Sequence, residues 1–337
     1  MDMMNNRRRW AQTTWPVGIA LIVAIGVLAL LAPALLARGR LNQGYLQLNR
    51  AMAAGDATAG DGAERILSQV ALDGALRRPA RRGLALLYMA QARPEAALAA
   101  WQQVDGSVDE ALLWAERAKR GDDFATAERW YGVAVHLEPD NGDHWYKLAR
   151  AAATLGDDAA HDYYLRALAA AERTEIGRSN ILTRLGELEK GAREPDWAAV
   201  LNRFDEALGG NDFTATADVA VAHLGRAEAL ERLGQFAASL AEYRRLIAAE
   251  PRLYWANVHG GRLTWYVERD AATAIALLRR AISINDEAKW AYLNLGLVYA
   301  GSGRPDLARP LFEQVLTIDP TDAESRRQLE QLTNHDS

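Results

Sequence analysis

Residues 289–320 read KWAYLNLGLVYAGSGRPDLARPLFEQVLTIDP, and this stretch decides the fold. Tyr292, Leu295, Gly296 and Tyr299 recur at helical spacing and share one face of a first helix. Ala308, Phe312 and Val315 form the facing stripe of a second helix. Gly303-Arg304-Pro305 supplies the turn between the two, and Pro320 closes the unit. Gly296 and Ala308 are small because the helices cross closely at those points. Tyr299 and Phe312 fill the space around the crossing. One such pair cannot bury its own apolar face, so copies must stack on one another.

Working upstream, the pattern returns at a spacing close to 34 residues. Trp265, Ala274, Leu278 and Ala281 mark the unit from Trp255 to Asp286, which has Arg262 at the glycine position. Ala227, Leu230, Gly234, Phe236, Tyr243 and Leu246 mark the unit ending at Pro251. Leu185, Gly186, Trp197, Phe204 and Ala207 carry a weaker one, with Pro195 in its turn. Trp145, Leu148, Ala149, Ala160, Tyr164 and Ala167 mark another, one residue short. Trp114, Ala115, Phe124, Ala127, Tyr131 and Ala134 precede Pro139. The earliest clear unit starts at Pro79, with Leu84, Ala85, Tyr88, Ala97, Trp101 and Val104 in register.

These residues resemble the tetratricopeptide repeat, W-x2-L-G-x2-Y followed by A-x3-F and a closing proline. The resemblance implies an all-α, right-handed α-solenoid of seven helix pairs over 78–320, with a polar capping helix and tail in 321–337. Residues 39–77 are expected to be a helical linker or a degenerate repeat, interrupted by the flexible run GDATAGDG from Gly55 to Gly62.

Residues 17–37, VGIALIVAIGVLALLAPALLA, carry no charged side chain and are long enough to cross a hydrocarbon core of about 30 Å. Trp10 and Trp15 flank the run where interfacial aromatics sit. A short basic tail over 1–14 is thus followed by a transmembrane signal-anchor helix over 15–38. A cleaved signal fits less well, because Leu35 and Ala37 make a poor small-x-small site. Arg7, Arg8 and Arg9 favour a cytoplasmic N-terminus with the repeats outside; Arg38, Arg40 and Arg50 weigh towards the cytoplasmic side. Single-pass residence in the cell membrane is the expectation.

The net charge of -5 argues against nucleic acid as a partner, because duplex binding needs a broad basic face. The absence of cysteine excludes disulfides, thiolate metal sites and a Cys nucleophile. No phosphate loop, dinucleotide fingerprint, H-E-x-x-H or G-x-S-x-G stands in the chain, and no two histidines fall at i, i+4. The pairs Asp122-Asp123 and Asp157-Asp158 read as helix caps in turns. No catalytic residue, metal or cofactor is expected. Most tryptophans match core positions; Trp255 and Trp290 stand apart at or near unit starts.

The family's geometry implies a concave groove lined from the first helices. Here that means Glu116, Lys119 and Arg120, then Tyr146 and Arg150, then Glu228, Glu231 and Arg232, followed by His259, Tyr266 and Trp290. Such a groove commonly holds an extended or helical peptide. The carboxylate clamp used on chaperone tails is not matched: Asn294 fits one position, but His259 and Leu263 stand where Lys and Asn are needed. The Cys-rich metal module of the membrane-tethered lipopolysaccharide-assembly members is missing too. The expected role is a non-enzymatic scaffold that binds a protein or peptide for an envelope complex. The alternative is an accessory or regulatory subunit of a membrane enzyme system, in cell-surface polysaccharide synthesis or secretion, with glycan contact through tryptophan. Oligomeric state is not legible.

Overall fold

Apolar stripes at helical spacing become seventeen α-helices, with no strand among the described residues, in a computed structural model that describes residues 31–335 except 53–56, 73, 104–107, 171–174, 211, 215 and 288. The chain divides into two units, Met1–Pro139 and Asp140–Ser337. The expected membrane span lies outside the described residues over 17–30. Among the described residues no helix is long and apolar enough to cross a membrane.

The first unit holds α1 (31–52), α2 (Ala57–Val70), α3 (Arg77–Ala90), α4 (Pro94–Gln102), α5 (Val108–Arg120) and α6 (Phe124–Leu137). Residues 39–77 fall mainly in α1 and α2. Leu48 is buried, a Cβ on Gly44 would come 2.7 Å from Leu67, and Tyr45 donates to the Pro79 carbonyl at 2.7 Å. The run from Gly55 to Gly62 is not a flexible interruption where it is described: 57–62 are the first turns of α2. Its small residues serve packing, since Ala59 and Ala63 are buried in line with Leu67 and Val70.

The second unit continues with α7 (Gly142–Leu155), α8 (Ala159–Ala169), α9 (Arg178–Lys190), α10 (Trp197–Gly210), α11 (Thr216–Arg232) and α12 (Phe236–Ala249). Then come α13 (Tyr254–Leu263), a π turn (Thr264–Glu268), α14 (Ala271–Ile284), α15 (Lys289–Gly301), α16 (Pro305–Ile318) and α17 (Ala323–His335). Odd-numbered first helices alternate with even-numbered second helices, giving seven pairs from α3 to α16 among the described residues. Leu329 and Leu332 of α17 pack on the last apolar cluster, while Glu324 and Arg327 pair on its outer side.

Close crossing explains the glycines. A Cβ on Gly296 would lie 2.6 Å from the Phe312 ring, and one on Gly186 would lie 3.0 Å from the Phe204 ring. In the unit α13–α14 the structure corrects the expected register. Gly261, not Arg262, takes the crossing position, where a Cβ would come 2.8 Å from Leu278. The extra residue this puts before α14 is absorbed in the π turn, which carries i→i+5 bonding for one turn. Thr264 Oγ1 donates to the Gly260 carbonyl at 2.7 Å and Arg269 ends the turn in a left-handed conformation, φ 60°.

The turn between paired helices repeats one conformation. Gly156, Gly234 and Gly303 take φ between 73° and 75°, and Ala92, Asp122 and Arg269 take φ between 55° and 60°. Asp123 caps α6 by accepting from Thr126 N at 3.0 Å. Before α8 the capping acceptor is Asp157, which receives Ala159 N at 2.9 Å, and Asp158 offers no such bond.

Phe312→Ala should lower stability by about 3–5 kcal/mol in urea denaturation, the usual range for a large aromatic deleted from a packed core. Gly303→Ala should cost only about 1–2 kcal/mol, the penalty of a Cβ at positive φ, where Gly303 sits with open space around it.

Candidate partner-binding surface

In the second unit, polar side chains on successive first helices reach one another. Arg184 of α9 lies 2.5 Å from Asp218 of α11, and Asn180 Nδ2 donates to the same carboxylate at 2.5 Å. Lys190 of α9 pairs with Glu187 at 3.0 Å and with Glu228 of α11 at 3.1 Å. Glu231 of α11 pairs with Arg262 of α13 and sits 3.5 Å from His259 Nδ1. A ladder of charges thereby ties α9 to α11 and α11 to α13. The His259 ring stacks on Tyr243 at 5.3 Å and an interplanar angle of 12°, with Trp255 at 5.7 Å on another side.

Burial shapes these charges. Desolvation pushes the Glu231 carboxyl up, but the nearby His259 ring and the charge of Arg262 outweigh it and hold the group below its ordinary 4.5. For Lys190 desolvation pulls down, and Glu187 with Glu228 outweigh it and raise the ammonium above 10.5. Among the described residues no group of three or more His, Asp or Glu is arranged to hold a metal ion. A cavity of about 600 Å³ opens between the α7–α8 and α9–α10 turns, lined by Leu188, Pro195 and Val200 with Asp157 and Asp196.

Residues 268–332, from the end of the π turn into α17, match the tetratricopeptide repeat family. The crystal structure of PilW, described as a widely conserved type IV pilus biogenesis factor, superposes with a TM-score of 0.54 at 20% identity, covering 66% of this chain and 98% of that one. The fold is that of tetratricopeptide-repeat proteins. PilF of Pseudomonas aeruginosa gives a TM-score of 0.57 at 14% identity, over 67% of this chain and 98% of PilF. The Cut9–Hcn1 hetero-tetramer of the APC/C gives 0.51 at 12% identity, over 80% of this chain and 58% of that one. No curated protein matches by sequence.

Against this tetratricopeptide-repeat fold the expected groove residues separate. In the first unit Glu116 accepts from Tyr131 Oη at 2.7 Å and pairs with Lys119 at 2.9 Å, while Arg120 Nε donates to the Glu116 carbonyl at 3.3 Å. In the second unit Arg150 is exposed over the Tyr146 ring, Arg232 is exposed over Trp197, and Trp290 is 46% exposed beneath Lys289. Glu228 and His259 belong to the ladder. Tyr146 is buried edge-on to Tyr164 at 6.0 Å beneath Arg150, and it lies against Arg184 of the ladder. Tyr266 stands apart from the ladder. The π turn carries it to the turn edge, where it meets Phe236 at 5.0 Å.

Arg184, Lys190 and Arg262 were missed. A usable signal existed for the first, since Arg184 and Asp218 are opposite charges 34 residues apart, one repeat period. Asn294 is nearly buried and donates to the Trp290 carbonyl at 2.8 Å, so its amide is committed to its own helix.

Glu231 tests the ladder by pH. Its lowered folded-state value means the unfolded chain binds more protons below 4.5, so its contribution is present above that pH and is lost as pH falls towards the folded value. The melting temperature of Glu231→Gln should lie below that of the native chain at pH 7, and the gap should narrow as pH drops below 4.5. A gap independent of pH would contradict the pairing.

Proposed function

We propose that this protein is a non-enzymatic, membrane-tethered tetratricopeptide-repeat scaffold that holds a protein or peptide partner on its first-helix face for assembly of an envelope complex. The ladder from Arg184 to Arg262, with Arg150 and Arg232 exposed beside it, carries this reading. Its paired side chains are ordered before a partner arrives, which lowers the entropy cost of docking. A surface built this way suits an extended or helical segment read along several repeats.

The uncharged run from Val17 to Ala37 supports the tether. So do Leu31, Leu35 and Leu36, each more than half exposed at the start of α1. We place the repeats outside the cytoplasmic membrane, following the arginines at 7–9. PilW, a type IV pilus biogenesis factor with this fold, suits an assembly role.

Photo-crosslinking side chains introduced at Arg150 and Arg232 in living cells should trap the same partner. The same group at Glu313, exposed on α16, should trap none. Equal trapping from Glu313 would overturn the first-helix reading. A C-terminal tag should be digested by protease added to intact spheroplasts, and protection until lysis would reverse the orientation.

A further inference from the structure

Trp255 and Trp290 each stand six residues before a crossing glycine, Gly261 and Gly296, and so hold equivalent places on α13 and α15. Those two first helices pack directly on each other. Among the described residues they are the only tryptophans in the exposed class, 43% and 46%. Both rings are held in place. Trp255 meets Tyr254 edge-on at 5.0 Å and His259 at 5.7 Å, and the Lys289 ammonium sits 5.0 Å over Trp290.

The charges beside the rings are already paired within the chain. Lys289 bonds Asp319 and lies 3.2 Å from Asp322, and Glu231 near His259 is matched by Arg262. The ledge therefore favours a ligand that brings apolar rings and little charge. Directly packed helices have axes about 8–10 Å apart. A polyproline II segment advances about 3.1 Å per residue with three residues per turn, so residues three apart on one edge are separated by about 9.3 Å. The step of such a segment falls within that range of helix spacings.

We infer that Trp255 and Trp290 form a two-ring ledge for a proline-rich segment in the polyproline II conformation, one proline on each indole, with the prolines three residues apart. This rests on the first-helix face being the partner-binding surface and names the class of segment it takes. Such a segment is preformed and loses little entropy on docking, and aromatic-lined grooves are the surfaces that recognise it.

Calorimetric titration of the full chain in detergent tests the ledge with two synthetic peptides of equal composition. One has proline at every third position, the other at every fourth. The first should bind at least tenfold more tightly. Trp255→Ala and Trp290→Ala should each weaken it tenfold or more, while Glu313→Ala, exposed on α16 away from the first-helix face, leaves it unchanged; unaltered helical circular dichroism and melting would show the variants folded. Equal affinity for the two peptides, no binding, or indifference to both tryptophan variants would overturn the ledge. So would binding of a chito- or cello-oligosaccharide at these rings without peptide binding. Partner crosslinking from Arg150 and Arg232 that persists in the double tryptophan variant would also sink the ledge while leaving the first-helix face standing. Absence of that crosslinking in the native chain would remove the face itself.

Discussion

Helix pairs close where a bulky apolar side chain, a ring in most of them and Leu278 in α13–α14, lies against a residue with almost no side chain. Phe312 against Gly296 and Phe204 against Gly186 show it directly, and Trp101, Tyr131 and Tyr243 are the corresponding fully buried rings in other pairs. Truncating one such ring costs about 3–5 kcal/mol, while a whole domain is stable by only about 5–15 kcal/mol. In a stack whose units touch only their neighbours, that cost falls mainly on the pair concerned and its two interfaces. Neighbouring first helices also lie near enough for Arg184 and Lys190 of α9 and Arg262 of α13 to reach carboxylates on α11.

The π turn after α13 keeps that arrangement in phase. Gly261 and Gly296 are 35 residues apart, whereas Leu278 and Phe312 are 34 apart. The added residue falls after the crossing glycine, so Trp255, His259 and Arg262 keep the orientation their unit requires. An α-helix turns about 100° per residue, and an uncompensated insertion there would have carried α14 out of register with α13. Tyr266 pays for this adjustment by leaving the first-helix face for the turn edge.

Much of the fold was legible because it depends on patterns that survive small errors. The spacing of Tyr299, Ala308 and Phe312 marks a helix pair whether or not a neighbouring unit is one residue short. The exposure of Trp255 and Trp290 followed from their places at unit starts. The binding surface was less legible. Arg262 was read at the glycine position, the burial of Tyr146 was not foreseen, and the charge ladder was seen only through Glu228, Glu231 and His259.

By itself the sequence determined a stack of helix pairs, their turns, the uncharged run at 17–37, and a chain without cysteine chemistry. Only the tertiary structure decided which residue of α13 meets α14, that Tyr146 is buried, and which charges meet across α9, α11 and α13. The reason is one of scale. Hydrophobic periodicity is a property of whole turns and tolerates a shift of one residue. A salt bridge must close to about 3 Å, and a one-residue shift rotates its partners by about 100°.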